Sequence, residues 1–288
     1  MLESLPDGQS HLDYPVIRVA HIYSSLLNVA GDGGNLSAIE HRAGWRGIAT
    51  AIVPVEVGET PDFAAFDMIF IQGGQDVEMA VAADDLQHKA FSLREAADQG
   101  VVIFAVCAGL QLLGHRYIPS SGAALTGIGL LDLETRAGPK RFMQHAACEV
   151  HIGDRTGTVV GFENHSGLTE LGRDVRPFGT VLAGAGNNGV DGTEGAIRDN
   201  VYATYLHGPV LPKNPWLADH LIQIALERKV GRPVDLPRLD DAVETSAHLA
   251  ALNSAERNRG RRTALEPALL LRTRRPAPEW KPPNSSFR

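Results

Sequence analysis

In the first hundred residues, short apolar runs alternate with stretches of helical periodicity. Val16 to Ile22 (VIRVAHI) reads as a strand, and a glycine-rich loop, Gly31-Asp32-Gly33-Gly34-Asn35, leads into a helical pattern from Leu36 to about Ala43. Ile48 to Val53 is a second strand, and Met68 to Ile71 a short third one that ends in Gln72-Gly73-Gly74-Gln75-Asp76. Asp84 or Asp85 is placed to cap a helix running to about Asp98, with Gly100 as its stop signal. Val101 to Val106 is a continuously apolar strand that runs into Cys107, with a helix starting at Ala108, Gly109 and Leu110. Strands alternating with helices predict a parallel sheet with βαβ crossovers.

After Gly114 the pattern changes. Between Ala123 and His207, short apolar runs such as Cys148 to Ile152, Thr158 to Phe162 and Val201 to Leu206 are separated by Gly, Asn and Asp. That pattern predicts mainly β-structure added to the same domain, without further long helices. Asn214 as cap and Pro215 in the first turn start a helix to about Lys229. A last helix covers Leu239 to about Glu256. The expected organisation is an N-terminal arm (residues 1–15), one domain (16–256) and a tail (257–288) that is Pro-rich, poor in apolar residues and expected to be disordered.

Composition narrows the class. The 288 residues are 43% hydrophobic and 21% charged, as in globular proteins. Two cysteines, Cys107 and Cys148, are too few for a disulfide framework. The polar, acidic N-terminus is no signal peptide, and no apolar run approaches the roughly 18 residues of a membrane span. A cytoplasmic protein is expected. From Glu256 onward there are nine Lys/Arg against three Asp/Glu, so the rest of the chain carries −13 although the total is −7. The acidic body argues against nucleic-acid binding. The basic tail is either simply solvated or a contact for anionic lipid or a partner.

Two motif classes drop out. Gly184-Ala185-Gly186-Asn187-Asn188-Gly189 fits the dinucleotide fingerprint, but turn chemistry (Val190 to Gly195) follows where that site needs a helix. No G-x-x-x-x-G-K-[ST] occurs, so the chain has no recognisable ATP site of its own. The eleven His show no H-x-x-x-H pair, and neither Cys has ligand neighbours at finger spacing, so no metal is expected.

What remains is the turn at Cys107. A strand–turn–helix elbow projects one side chain at the carboxyl end of the sheet, where α/β folds place ligands. It also puts the sulfur at a helix N-terminus, which favours thiolate. The plainer alternative is a small apolar Cys in a core strand. A nucleophilic thiol needs a base. His207, ending the apolar strand that begins at Val201 and followed by Gly208-Pro209, is placed to face a cleft.

Taken together, the motifs resemble the class I (triad-type) glutamine amidotransferases. The elbow Cys107-Ala108-Gly109-Leu110-Gln111 matches C-x-G-x-Q, after a glycine-rich turn and before a late His. Within that class the chain is similar to the cobyric acid synthase-like family, and most to the glutaminase subunits of lipid II isoglutaminyl synthases. The matching stretches are Gly31 to Asn35, Ile71 to Asp76, Gly161 to Gly167, Gly184 to Gly195, Tyr205 to Pro209 and Pro212 to Pro215, within Val16 to Ala250. The resemblance implies an α/β three-layer fold with a mostly parallel central sheet and added antiparallel β-structure. It implies Cys107 as nucleophile and His207 as general acid and base. Backbone N–H groups near Gly74 and Ala108 would form the oxyanion hole, each donor worth about 3–4 kcal/mol. Gln111 would position L-glutamine, and Arg141 would hold its α-carboxylate, an anion suited to a guanidinium. The Asn164-His165-Ser166 turn either lines the same pocket or is only a turn.

One departure bears on the partner. Many class I relatives carry an acidic residue two positions after the His, and here Pro209 stands there. Glu163, Asp191, Glu194 and Asp199 are in-chain candidates without the usual spacing. The family implies that a partner supplies the carboxylate, and therefore low activity for the isolated chain. The implied partner is a Mur-ligase-like catalytic subunit, forming a heterodimer and holding ATP and Mg. It would amidate the D-glutamate α-carboxylate of lipid II, and partner or tail would bring the complex to the inner face of the membrane. The alternatives are a cobyric acid synthase-type amidotransferase domain, or a catalytically silent scaffold subunit of a ligase.

Overall fold

The computed structural model describes residues 16–27 and 31–270, so the arm expected at residues 1–15 and the last part of the tail lie outside the described residues. The first half forms β1 (Ile17–Ile22), α1 (Gly34–Gly44), β2 (Thr50–Val55), β3 (Met68–Ile71), α2 (Asp76–Asp98), β4 (Val102–Val106) and α3 (Ala108–Leu113). The second half forms β5 (Arg116–Ile118), β6 (Leu125–Thr126), β7 (Leu133–Ile152), β8 (Arg155–Leu171), β9 (Gly179–Ala183), β10 (Thr193–Glu194), β11 (Ala196–Arg198), β12 (Val201–Thr204), β13 (Leu206–His207), α4 (Pro215–Val230) and α5 (Ala242–Leu270).

The strands build two sheets. One has six strands in the order β11-β12-β4-β3-β1-β2, all parallel except β11. Its central strands β3 and β4 are buried at every position, which is why they read as unbroken apolar runs rather than alternating ones. The second sheet has seven strands and is mainly antiparallel, dominated by the β7–β8 hairpin around Gly153-Asp154. Two of the short apolar runs, Cys148 to Ile152 and Thr158 to Phe162, are therefore pieces of two long strands, of 20 and 17 residues, interrupted by polar positions on the exposed face, while Val201 to Leu206 spans β12 and the start of β13. The mostly parallel sheet and the added antiparallel structure agree with expectation.

Element ends differ where polar residues misled the sequence reading. Helix α2 starts at Asp76, not at Asp84 or Asp85. Asp85 lies inside the helix because Lys89, the Tyr23 hydroxyl and the Gly58 amide (2.7 Å) satisfy its carboxylate. Asn214 does precede α4, but its side chain bonds β8 instead of capping: Oδ1 accepts from the Val160 amide and Nδ2 donates to the Val160 and Val210 carbonyls. Helix α5 continues to Leu270, past the boundary expected near Glu256, and packs on the second sheet through Ala251, Leu252 and Ala255.

The two sheets meet at the residues that matter. Strand β12 lies parallel to β4, with Thr204 opposite Val106. After Tyr205 the chain crosses to the other sheet, where Leu206 and His207 pair antiparallel with Glu163 and Phe162 of β8. His207 thus sits at the seam, beside the end of the strand that leads into Cys107.

Candidate active site

The turn after β4 places Cys107 at φ 51°, ψ −98°, outside the regions open to most L-residues. Such a conformation costs on the order of 1–3 kcal/mol and persists only where its surroundings hold it. Here the Cys107 amide donates to the Thr204 carbonyl at 2.9 Å, and its carbonyl accepts from the Gln111 amide at 3.0 Å. The strain turns the side chain out of the sheet into a pocket of about 680 Å³. The core-cysteine alternative describes Cys148 instead, which is fully buried and whose thiol is pushed well up by burial. The expected helix contribution at Cys107 is small, because α3 has only six residues. The positive charge beside the sulfur comes from His207.

His207 is 3% exposed, and its Nδ1 lies 2.9 Å from Oδ2 of Asp32, a carboxylate with no exposure at all. Burial alone would lower the imidazole pKa; the Cys107 sulfur and the Asp32 carboxylate overcome it and hold it at about 10. Nε2 has no hydrogen-bond partner among the described residues, although the sulfur is near enough to help retain the ring's proton. Gly73 leaves room for these side chains: a Cβ there would stand 2.9 Å from His207 Cε1, 3.1 Å from Asp32 Oδ2 and 3.6 Å from Cys107 Cβ.

The carboxylate therefore comes from within the chain, contrary to expectation, and from none of the four candidates considered. Glu163 accepts from the Ala185 and Gly186 amides at 2.6–2.9 Å. The glycine motif that mimicked a dinucleotide fingerprint is thus a cradle for an internal carboxylate. Glu194 accepts from the Tyr205 amide at 2.7 Å and the Thr204 hydroxyl. Asp191 closes a turn with Asn188 and Thr193, and Asp199 sits at a positive-φ position beside Arg198. Asp32 escaped notice because 175 residues separate it from His207. Its signal was there: an acid in the loop leaving β1, at the carboxyl end of a parallel sheet where ligands bind. Pro209 lies against the same loop. It packs so close to Gly34, two residues after Asp32, that a Cβ there would meet its Cγ at 2.6 Å.

The remaining expected residues surround the same pocket. Gln111, one turn after Cys107, is buried and donates to the Tyr205 hydroxyl at 3.0 Å. Arg141 reaches the pocket from a bulge: the β7–β8 register breaks between Ala137 and Phe142, over a segment containing Pro139, which cannot donate to a ladder. Its Nε and Nη2 donate to Asn164 Oδ1 (2.7 Å) and carbonyl (3.1 Å), so one edge of the guanidinium is committed to holding it. Asn164, His165 and Ser166 do line the pocket, but as part of β8 and not as a turn. Gly74 lies beside Ala108, whose Cβ would be 3.8 Å from a Cβ at Gly74. Among the described residues no group of three or more His, Cys, Asp or Glu could hold a metal ion.

The chain was compared with known proteins. Residues 18–215 match the CobB/CobQ-like glutamine amidotransferase domain. The chain is 37% identical over 243 residues to the lipid II isoglutaminyl synthase (glutamine-hydrolyzing) subunit GatD of Staphylococcus aureus (strain N315), covering 84% of this chain and 98% of that one. It is 36% identical to the subunit of the same name from Streptococcus pneumoniae (strain ATCC BAA-255 / R6), over 80% and 88% of the two chains. A cobyric acid synthase of Synechococcus sp. (strain WH7803) is 30% identical over 56% of this chain but only 36% of its own length. Among solved structures, PurLQS from Thermotoga maritima superposes with a TM-score of 0.50 at 16% identity, over 74% of this chain and 97% of that one, a likeness of fold. A strained cysteine facing a buried His–Asp pair, in a chain matched over these lengths, belongs to the CobB/CobQ-like glutamine amidotransferase family.

Proposed function

We propose that this chain is the glutaminase subunit of a lipid II isoglutaminyl synthase, releasing ammonia from L-glutamine for a partner ligase. The observation that carries this reading is the Cys107–His207–Asp32 constellation at the strained elbow, in a chain that matches 98% and 88% of two relatives bearing that name. Cys107 Sγ attacks the side-chain carbonyl carbon of glutamine, and the oxyanion that forms faces the Gly74 and Ala108 amides. His207 passes its proton to the amide nitrogen, which leaves as ammonia, and a thioester remains on Cys107. His207, now neutral, takes a proton from water. The hydroxide adds to the thioester, the C–S bond breaks, and glutamate departs. Asp32 holds the imidazole orientation through both steps and balances the cation while it exists. Arg141 receives the α-carboxylate, and Gln111 shapes the floor.

The partner is a Mur-ligase-like subunit that binds ATP and Mg and activates the D-glutamate α-carboxylate of the lipid II stem peptide, which ammonia converts to D-isoglutamine. Two named subunits of such a synthase among the relatives support it. The cobyric acid synthase alternative is less favoured, because that relative is 30% identical over 56% of this chain, against 37% over 84% for the subunit from Staphylococcus aureus. No described helix is long and apolar enough to cross a membrane. Contact with the lipid-bound substrate is assigned to the partner, aided by the basic tail.

The test is ammonia and glutamate release from L-glutamine by the complex, followed by stem-peptide amidation on adding ATP. Cys107→Ala is expected to abolish the release. Full activity of that variant, or no release by the intact complex, overturns the proposal.

A further inference from the structure

One buried side chain in the pocket is left out of this chemistry. His165, in the middle of β8, is 2% exposed. Its ring is held from three sides: stacked on Tyr205 with centroids 3.8 Å apart and planes 13° apart, tilted against Phe142 at 5.4 Å, and bonded through Nδ1 to the Gly167 carbonyl at 3.0 Å. A carbonyl only accepts, so Nδ1 carries the proton and Nε2 presents a bare lone pair. Nε2 is buried and has no partner among the described residues, and His165 lines the same pocket as Cys107, Gln111 and Arg141. Burial, with the nearby His207 and Arg141 cations, lowers this imidazole to about 4 against the support of the Gly167 carbonyl, so the ring is neutral at physiological pH. An acceptor buried without a partner is destabilising, and a site that keeps one recovers the cost on binding a donor.

We propose that His165 is a specificity-determining residue whose Nε2 accepts a hydrogen bond from an N–H group of bound glutamine. This rests on the glutaminase reading above. The surroundings fit a positioning role. The ring stands on Tyr205, whose hydroxyl receives Gln111 Nε2 at 3.0 Å and lies 2.6 Å from Thr169 Oγ1, itself 2.7 Å from the Thr135 hydroxyl. This buried polar chain holds Tyr205, and with it the stacked ring of His165. A substrate that offers only acceptors there would leave Nε2 unpaired, a penalty that sites of this kind use for selection.

The experiment measures glutaminase kinetics of the full chain with its partner subunit, comparing wild type, His165→Phe and His165→Gln. Phenylalanine keeps a ring over Tyr205 and removes the acceptor; glutamine returns an acceptor oxygen. His165→Phe is expected to raise KM for L-glutamine about 10- to 100-fold, with a smaller change in kcat, and His165→Gln to recover at least part of it. The same measurement with glutaramate, which lacks the α-amino group, locates the donor. A penalty that vanishes there assigns the bond to the α-ammonium, and one that persists assigns it to the side-chain amide. Thermal melting and iodoacetamide labelling of Cys107 verify that each variant is folded. Should wild type and His165→Phe share one KM for L-glutamine, the His165 inference is overturned while the glutaminase reading stands. If wild type releases no ammonia and labels normally, the glutaminase reading itself fails.

Discussion

Asp32 and His207 show how much one hydrogen bond decides. The bond at 2.9 Å is fully buried, so Asp32 cannot be replaced by solvent when it is lost. Asp32→Asn preserves shape and removes charge. Burial of the His207 ring is then less opposed, and its pKa drops below about 10. The ring loses its proton at lower pH, which NMR titration of the imidazole reads directly. General acid–base catalysis typically contributes about 100- to 10,000-fold, and kcat for glutamine hydrolysis is expected to fall within that range. Wild-type kcat in Asp32→Asn would show that another group orients His207. Glu194 makes the opposite case. Burial dominates and raises its carboxyl to about 8 from an ordinary 4.5. A group whose folded pKa lies above its unfolded one stabilises fully below about 4.5 and loses that contribution as pH rises through about 8. Glu194→Gln stays neutral, so its stability advantage over wild type should grow from pH 5 to pH 9 in denaturant titrations.

At the scale of elements, two helices carry the loops of the site. Helix α1 follows the Asp32 loop, and α4 follows the turn after His207. Asp219 of α4 clamps them by accepting from both Arg42 of α1 and Arg46 in the turn just past its end, four contacts at 2.7–2.9 Å. Both guanidinium groups are nearly buried, with side chains 3% and 2% exposed. Asp219→Ala strands two buried cations, though Arg42 retains Asp241 at 2.7 Å. A loss of about 3–5 kcal/mol in unfolding free energy is expected, the usual cost of breaking a buried pair. A loss under about 1 kcal/mol in urea titration would mean the clamp is not structural. Strand identities were legible in the sequence because continuous burial writes itself as continuous apolar runs, as in Met68 to Ile71. The length of the β7–β8 hairpin was not, since one solvated face breaks its runs into fragments.

For the whole molecule, the in-chain carboxylate changes what the partner must do. With Asp32 in place the isolated chain holds Cys107, His207 and an orienting acid, so measurable ammonia release without the partner is expected, lost in Cys107→Ala. An isolated chain without activity, recovered on adding the partner, would return the missing element to the interface. Removing residues 257–288 tests the basic tail separately: the expected result is weaker association with anionic vesicles, and unchanged association and amidation remove its lipid role. The alternation of strand and helix, the nucleophile at the strand-to-helix junction and the late histidine follow from sequence alone, because periodicity and local turn chemistry are written over a few neighbouring residues. The third member of the site is not local. Asp32 and His207 meet where the chain crosses from one sheet to the other after Tyr205 and where Pro209 packs on Gly34. The placement of His165 is of the same kind, set by stacking on Tyr205, at the crossing between β12 and β13. Such contacts depend on which strands lie side by side, and that is decided by burying the whole core at once.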